Sequence, residues 1–121
     1  MAESHNLGIK GEDIAAEHLK KSGYKILFRN WKWGKNEIDI IAEKDDTIVF
    51  VEVKTRTAEF LGGVASAIST DKQKSIIYAA DGYIRRFNMD KESRFDVVTI
   101  IMNGETFTID HIESAFYPTL R

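Results

Sequence analysis

The 121-residue chain contains no cysteine and a single proline, Pro118. Without thiols it can form no disulfide, zinc–thiolate site, iron–sulfur cluster or cysteine nucleophile, and this composition fits a reducing compartment. No apolar stretch approaches the roughly 20 residues that a membrane span requires, and the first residues lack the apolar core of a secretion signal. We therefore expect a cytoplasmic protein with no membrane partner.

The motifs of several common enzyme classes are also missing. The three histidines, His5, His18 and His111, are scattered without a metal-binding spacing, which argues against a zinc hydrolase. Neither a Gly-x-Gly-x-x-Gly nor a Walker-type loop occurs, which argues against nucleotide-cofactor enzymes. A net charge of −2 argues against a protein that coats nucleic acid through its overall field.

The residues that are present predict an ordinary globular protein. The chain is 43% hydrophobic and 30% charged, enough apolar material for one core, so we expect a single domain spanning residues 1–121. Apolar residues recur at helical spacing up to a stop at Gly23 and again over residues 70–87. Five strands are predicted at residues 24–33, 38–42, 48–55, 95–102 and 106–112. This order predicts an α/β fold with a mixed central β-sheet of about five strands, flanked by helices.

Short polar or glycine-containing segments separate these elements. Residues 45–46 (DD) and 103–104 (NG) are typical of two-residue hairpin turns. Residues 62–63 (GG) indicate a loop before the second helix. At the start of that helix, Thr70 and Gln73 have the spacing of a capping box, in which each side chain satisfies the other's free amide.

Acidic residues interrupt two of the apolar runs, where an ionised side chain is costly unless it is paired or binds a metal. Asp39 lies in the run EIDIIA, and Glu52 and Lys54 lie in the run VFVEVK. If these strands pair, Asp39 and Glu52 converge, and two converging carboxylates suit Mg²⁺ or Mn²⁺. Lys54 shares a strand face with Glu52 and would stand beside the ion, and Glu12 on the inward stripe of the first helix is a third acid.

Each of these residues also has a structural interpretation when taken alone. Glu52 and Lys54 could form a surface ion pair, Asp39 could cap a strand, and Glu12 could be a solvated helix residue. Three inward acids and a lysine have no equally simple structural explanation, so their combination favours a functional site.

Taken in order, these residues resemble the PD-(D/E)xK nuclease superfamily with its restriction endonuclease-like fold, and more closely the YraN-like family of small bacterial proteins. The resemblance covers nearly the whole chain, through Gly11-Glu12, EIDIIA (37–42), FVEVKTR (50–56), Lys72-Gln73, RFDVV (94–98) and HIESAF (111–116). It implies that Asp39 and Glu52 bind the metal, with the Val53 carbonyl as a further ligand and Lys54 as the motif lysine. Glu12 is similar to the helix-one acid of archaeal Holliday junction resolvases, which implies that Glu12 is a third catalytic and metal-binding acid.

The expected reaction is metal-dependent phosphodiester hydrolysis, because a bound cation neutralises the charge that grows in the transition state and activates a water. DNA is favoured over RNA as the partner, and branched DNA is one candidate substrate. We expect phosphates to be held by cationic and polar residues near the site strands and at the start of the second helix: Arg29, Lys32, Lys35, Arg56, Lys72 and Gln73. Trp31 and Trp33 could stack on unpaired bases, or they could pack in the core or in a dimer interface.

Two other functions are compatible with the same residues. A noncatalytic nucleic-acid-binding module could use the same surface without hydrolysis. A protein-interaction domain is favoured by the acidic pI of about 5.9 and would show no salt-sensitive binding to nucleic acid. A homodimer would help one small subunit to span a branched junction, although no sequence feature demands it.

Overall fold

The computed structural model describes residues 2–57 and 68–118, with side chains described from Lys10 onward. Its elements follow the predicted order: α1 (Ala2–Lys21), β1 (Lys25–Trp33), β2 (Asn36–Lys44), β3 (Thr47–Thr57), α2 (Thr70–Arg86), β4 (Glu92–Asn103) and β5 (Thr106–Phe116). The loop expected at residues 62–63 lies outside the described residues. No helix in the described part of the chain is long and apolar enough to cross a membrane.

The five strands form one mixed sheet in which spatial order equals chain order, β1-β2-β3-β4-β5. Neighbouring strands pair antiparallel except β3 and β4, which run parallel. Parallel neighbours need a crossover connection, and α2 lies in the connection between them. This architecture confirms the predicted mixed sheet with flanking helices and is consistent with a restriction endonuclease-like core.

Alternating side chains on β2, β3 and β4 divide the core into two layers, one on each face of the sheet. Val49 and Val51 pack with α1, whereas Ile48 and Phe50 pack with α2. Buried residues on the α1 side include Ala15, Ala16, Leu19, Ile40 and Ile100, and those on the α2 side include Ile41, Ile76, Ala80, Tyr83 and Val97. Because β3 is apolar on both faces, it is the central strand, as its sequence predicts.

Two glycines allow unusually close contacts between layers. A Cβ atom at Gly11 in α1 would overlap the side chain of Thr55 in β3, and one at Gly82 in α2 would overlap the indole of Trp33 in β1. Each helix therefore lies closer to its face of the sheet than any other residue at that position would allow. The Gly11 contact also fixes the distance between α1 and the end of β3.

Two local predictions from the sequence were wrong by one residue. The N-cap of α2 is Ser69, whose hydroxyl accepts a hydrogen bond from the Lys72 amide at 3.1 Å, not Thr70. Serine is the better N-cap of the two residue types, and Ser69 has the extended backbone conformation that an N-cap requires. Register pairs Asn103 with Thr106, so the β4–β5 turn contains Gly104 and Glu105, with the positive φ at Gly104. Strand β5 also continues to Phe116, beyond its predicted end.

Candidate functional site

The candidate site lies where β2 and β3 separate. Their pairing runs from the Asp45-Asp46 turn as far as Ile40 opposite Val51. Beyond that point Asp39 Oδ2 accepts a hydrogen bond from the Val53 amide at 2.8 Å, so a carboxylate takes the place of a strand carbonyl. Because the amide and carbonyl of one strand residue point to the same edge, the Val53 carbonyl also faces this gap.

Asp39 and Glu52 come together at this open end, as expected from the sequence, and their carboxyl groups are close enough for the charge of Glu52 to act on Asp39. Burial and, after it, the neighbouring Glu52 carboxylate raise the pKa of Asp39 to about 7, against the opposing effect of the hydrogen bond from Val53. Burial also raises the pKa of Glu52. The pair therefore resists carrying two negative charges, and a cation would relieve that resistance.

Glu12 approaches the same pair from α1, on the other face of the sheet from α2. Burial raises the pKa of Glu12, and the next largest contribution is the negative charge of Asp39. Arg29 lies 3.7 Å from the Glu12 carboxylate, and the distance from its Nη2 to Asp13 Oδ1 is 2.8 Å. The third predicted acid thus faces the site and is partly neutralised by an arginine.

Asn30 is a site residue that the sequence analysis missed. With its amide oriented so that the nitrogen faces the acids, Asn30 donates to Glu12 Oε1 at 3.2 Å and to Glu37 Oε2 at 3.1 Å. Its backbone has a positive φ of 54°, a conformation that asparagine tolerates better than most residues. An asparagine inside a basic aromatic strand was the available sequence signal for this irregularity.

Cationic side chains from β3 and α2 lie near Glu52 on the α2 side of the sheet, whereas Glu12 approaches from the α1 side. A cavity of about 330 Å³ is lined by Glu52, Val53, Lys54, Thr55, Arg56, Ile68, Ser69 and Lys72. Burial lowers the pKa of Lys54, as does the charge of Arg56, while Glu52 opposes the shift. Lys72 Nζ lies 3.7 Å from Glu52 Oε2. The predicted residues Lys54, Arg56 and Lys72 are therefore together in one cavity.

Gln73 and Arg29, two of the residues expected to hold phosphate, are instead engaged within the protein. Gln73 Nε2 donates to the Ile68 carbonyl at 2.9 Å and so holds the start of α2. Arg29 is paired with the acids of α1 as described above. Lys32 and Lys35 are exposed beside the β1–β2 turn, where a polyanion could reach them.

The aromatic residues of β1 pack against the protein itself. The rings of Trp31 and Trp33 stack with their centroids 5.5 Å apart, and Trp31 makes an edge contact with Tyr83 of α2. Both tryptophans are half-buried against the α2-side core. Of the two roles open from the sequence, base stacking or packing, this geometry favours packing.

The donor set is appropriate for a hard divalent cation. Among the described side chains, those of residues 10–57 and 68–118, no three His, Asp or Glu are grouped to hold one metal ion. Mg²⁺, however, is usually bound by one or two carboxylates together with waters and substrate phosphates. Asp39, Glu52 and the Val53 carbonyl supply such a partial set of oxygen ligands, so the residues present fit the ion that the sequence analysis expects.

A second polar cluster, centred on Asp96 of β4, lies away from this gap. Asp96 is fully buried, receives two hydrogen bonds from Arg94 at 2.9 and 2.8 Å, and is bonded to His111 Nε2 at 2.9 Å. His111 Nδ1 is in turn 3.0 Å from His18 Nε2 of α1. These contacts hold the Asp96 carboxylate ionised, with its pKa lowered against the effect of burial, and join α1 to β4 and β5. Residues from segments 94–98 and 111–116 therefore contribute contacts that hold α1, β4 and β5 together.

Comparison with known proteins places the chain among bacterial relatives of the same length. Residues 11–100 match the family described as "Uncharacterised protein family UPF0102". A UPF0102 protein of Parabacteroides distasonis is 47% identical over the full length of both chains. UPF0102 proteins of Flavobacterium johnsoniae and Chlorobium phaeobacteroides are 46% and 43% identical, covering 97% and 95% of this chain and 98% and 96% of their own.

Proposed function

The chain belongs to the UPF0102 family, whose name assigns no activity, and from the geometry of the site we propose that it is a metal-dependent nuclease of the PD-(D/E)xK superfamily. The proposed reaction is hydrolysis of phosphodiester bonds in nucleic acid, with DNA favoured over RNA. One observation carries the proposal: the partly buried carboxyl groups of Asp39 and Glu52 meet at the fork, the point where β2 and β3 separate, and Lys54 is next to Glu52 on the same strand face. Acids that are partly buried and whose pKa values are raised are typical of functional sites.

In this proposal Asp39, Glu52 and the Val53 carbonyl hold Mg²⁺ or Mn²⁺, with Glu12 as an outer acid. When bound, the ion neutralises charge on the scissile phosphate and lowers the pKa of an attacking water. The fold prepares the ligands, because the Val53 amide orients Asp39 and the Asn30 amide orients Glu12. Ligands that are already held in place need little rearrangement when charge develops in the transition state. Such preorganisation is the main source of electrostatic catalysis.

Lys54 is the residue of this chain best placed to act on the reacting groups. It lines the same cavity as Glu52, and burial together with Arg56 lowers its pKa, so Lys54 gives up a proton more readily than an exposed lysine. A lysine in this state can orient the attacking water or donate to a phosphate oxygen. We assign Lys54 this role, with Arg56 holding a neighbouring phosphate.

We assign substrate binding to the exposed cations around the site. Lys32 and Lys35 are exposed beside the β1–β2 turn, and Lys72 is half-exposed at the start of α2. Arg29, which the sequence predicted to bind phosphate, is not one of these cations, because its guanidinium is paired with the carboxylates of Glu12 and Asp13. The proposed track of phosphates therefore runs from the β1–β2 turn past the fork to α2.

A noncatalytic nucleic-acid-binding module is the second candidate function. One observation favours it: the described residues contain no group of three acids or histidines close enough to hold a metal together. Such a module would use the same cations and show the same salt dependence, but it would neither bind Mn²⁺ tightly nor hydrolyse its ligand.

The proposal is tested by a cleavage screen over branched, flapped, single-stranded and duplex DNA and the matching RNAs with Mg²⁺ or Mn²⁺. Glu52→Gln removes one ligand charge while relieving repulsion with Asp39, so it should abolish hydrolysis and leave the fold intact. Glu105→Gln, in the exposed β4–β5 turn, is the matched control and should cleave like the wild type. Cleavage by Glu52→Gln at the wild-type rate would refute the assignment, and salt-sensitive binding without hydrolysis would support the noncatalytic module.

The phosphate track is tested separately by binding titrations at several salt concentrations. Lys32 and Lys35 together changed to Gln should weaken binding to every sequence and flatten the salt dependence, because fewer counterions are released. Lys20 and Lys21, at the far end of α1, changed to Gln serve as the control of equal charge. Equal slopes for both double variants would show that the track lies elsewhere, and no binding by any of these proteins would favour a protein-interaction domain.

A further inference from the structure

Lys72 is a cation that reaches the acid pair from outside the sheet. Its Nζ lies 3.7 Å from Glu52 Oε2, and its side chain is 48% exposed whereas that of Glu52 is 13% exposed. Its positive charge lowers the pKa of both Glu52 and Asp39, in opposition to burial. Lys72 therefore supplies part of the positive charge that stabilises these two partly buried carboxylates.

The position of Lys72 is fixed at its backbone but not at its charged end. Ser69 caps its amide, and the Gln73 side chain holds the Ile68 carbonyl, so the first turn of α2 is well anchored. A distance of 3.7 Å, in contrast, is longer than the 2.7–2.9 Å typical of a charge-assisted hydrogen bond. A lysine ammonium is a point charge on a flexible stem, so it can be redirected without moving the helix.

We propose that Lys72 is a resident counter-ion of the Asp39–Glu52 pair that exchanges with the divalent cation and then binds a phosphate of the nucleic acid. This inference rests on the proposed function. Both partners of the exchange are close, because Lys72 lines the same 330 Å³ cavity as Glu52, Lys54 and Arg56. When a metal ion binds Glu52, the Lys72 ammonium loses its carboxylate partner and remains in the cavity that also contains Lys54 and Arg56. A phosphate that enters this cavity can then form an ion pair with Lys72.

The exchange predicts a thermodynamic link between the two ligands. Lys72 competes with the metal for Glu52, so it weakens metal binding to the free protein. A phosphate that engages Lys72 removes this competition, so nucleic acid should strengthen metal binding and, by reciprocity, metal should strengthen nucleic-acid binding. The protein would then bind the ion tightly only when its substrate is present.

The test is calorimetric titration of the metal-free full chain with Mn²⁺ alone at fixed ionic strength. Lys72→Met keeps the aliphatic stem and removes the charge, and it should bind Mn²⁺ roughly tenfold more tightly than the wild type. A factor of this size is expected because the variant lacks one positive charge that would repel the ion from a few ångströms away. Lys74→Met, which removes an exposed charge from the same helix, should stay within about twofold of the wild type. Lys72→Arg keeps the charge and should also bind like the wild type.

A second titration adds a short phosphorothioate duplex. The duplex should increase Mn²⁺ affinity in the wild type and in Lys74→Met, and it should have little effect in Lys72→Met. Unchanged or weaker Mn²⁺ binding by Lys72→Met would overturn the exchange while leaving the proposed metal site in place. No Mn²⁺ binding by the wild type, Lys72→Met and Glu52→Gln alike would overturn the proposed function together with the inference.

Discussion

The raised pKa of Asp39 makes a quantitative prediction about Asp39→Asn. In the folded protein this carboxyl titrates at about 7, against an ordinary value of 3.8, so the folded state holds a proton that the unfolded chain has lost between these two pH values. Three pH units at about 1.4 kcal/mol each set a ceiling of about 4 kcal/mol on the resulting loss of stability. That loss is absent below pH 4, grows as the pH rises and is complete above pH 7.

Asparagine removes the ionisable group and keeps the contacts. Its carbonyl oxygen can still accept from the Val53 amide, and its amide nitrogen can donate to Glu52. Two of the three pH units lie between pH 5 and pH 8, so Asp39→Asn should gain about 3 kcal/mol relative to the wild type over that interval. Its free energy of unfolding should therefore exceed that of the wild type at pH 8.

Urea unfolding at pH 5 and pH 8, with a chelator present, measures this difference. Asp110→Asn, which removes an exposed carboxylate of β5, is the control, because it measures how the loss of one negative charge at the surface changes the free energy of unfolding. A free-energy difference between Asp39→Asn and the wild type that is the same at both pH values would refute the argument from burial. Added Mn²⁺ at pH 8 should stabilise the wild type by about 2.7 kcal/mol at a hundred times its dissociation constant, and should not stabilise Asp39→Asn.

Three further predictions concern packing and the buried polar cluster. Gly11→Ala should destabilise the protein by about 1–3 kcal/mol despite the better helix propensity of alanine, because the new Cβ meets the Thr55 hydroxyl. In a double-mutant cycle, adding Thr55→Ala should restore part of the lost stability. Gly82→Ala should cost a similar amount and shift the fluorescence of the indole it displaces, that of Trp33, and a wild-type melting temperature would contradict the close approach. Asp96→Asn should cost about 3–5 kcal/mol, because a partly buried arginine loses its carboxylate, and thermal unfolding at neutral pH would detect it.

The sequence predicted the order of the elements because each signal was local. The 3.6-residue stripe of α2, the doubly apolar run of β3 and the aspartates of the β2–β3 turn all depend on neighbours within a few residues. Asp45 and Asp46 both have positive φ, as their residue type allows, so this turn was predicted at the correct place. The end of β5 was missed because its last residues read as mixed polarity, although Phe116 is buried against Phe95.

The candidate site was predicted in part, and the limit was again one of distance along the chain. Asp39 and Glu52 could be placed together because a short turn connects their strands. That Arg29 is neutralised by α1, and that Asn30 bridges Glu12 and Glu37, depends on how a helix docks on the sheet, which no local pattern encodes. The contact between His18 and His111 was hidden for the same reason.

The order of the strands has a consequence for how the chain matures during synthesis. Every acid of the fork precedes the crossover between β3 and β4, whereas Lys72 follows β3. A chain made from its N-terminus therefore presents the acids of α1, β2 and β3 before it contains the lysine that faces them. The arrival of α2 therefore does two things at once, because the same helix covers the second layer of the core and brings Lys72 to 3.7 Å from Glu52.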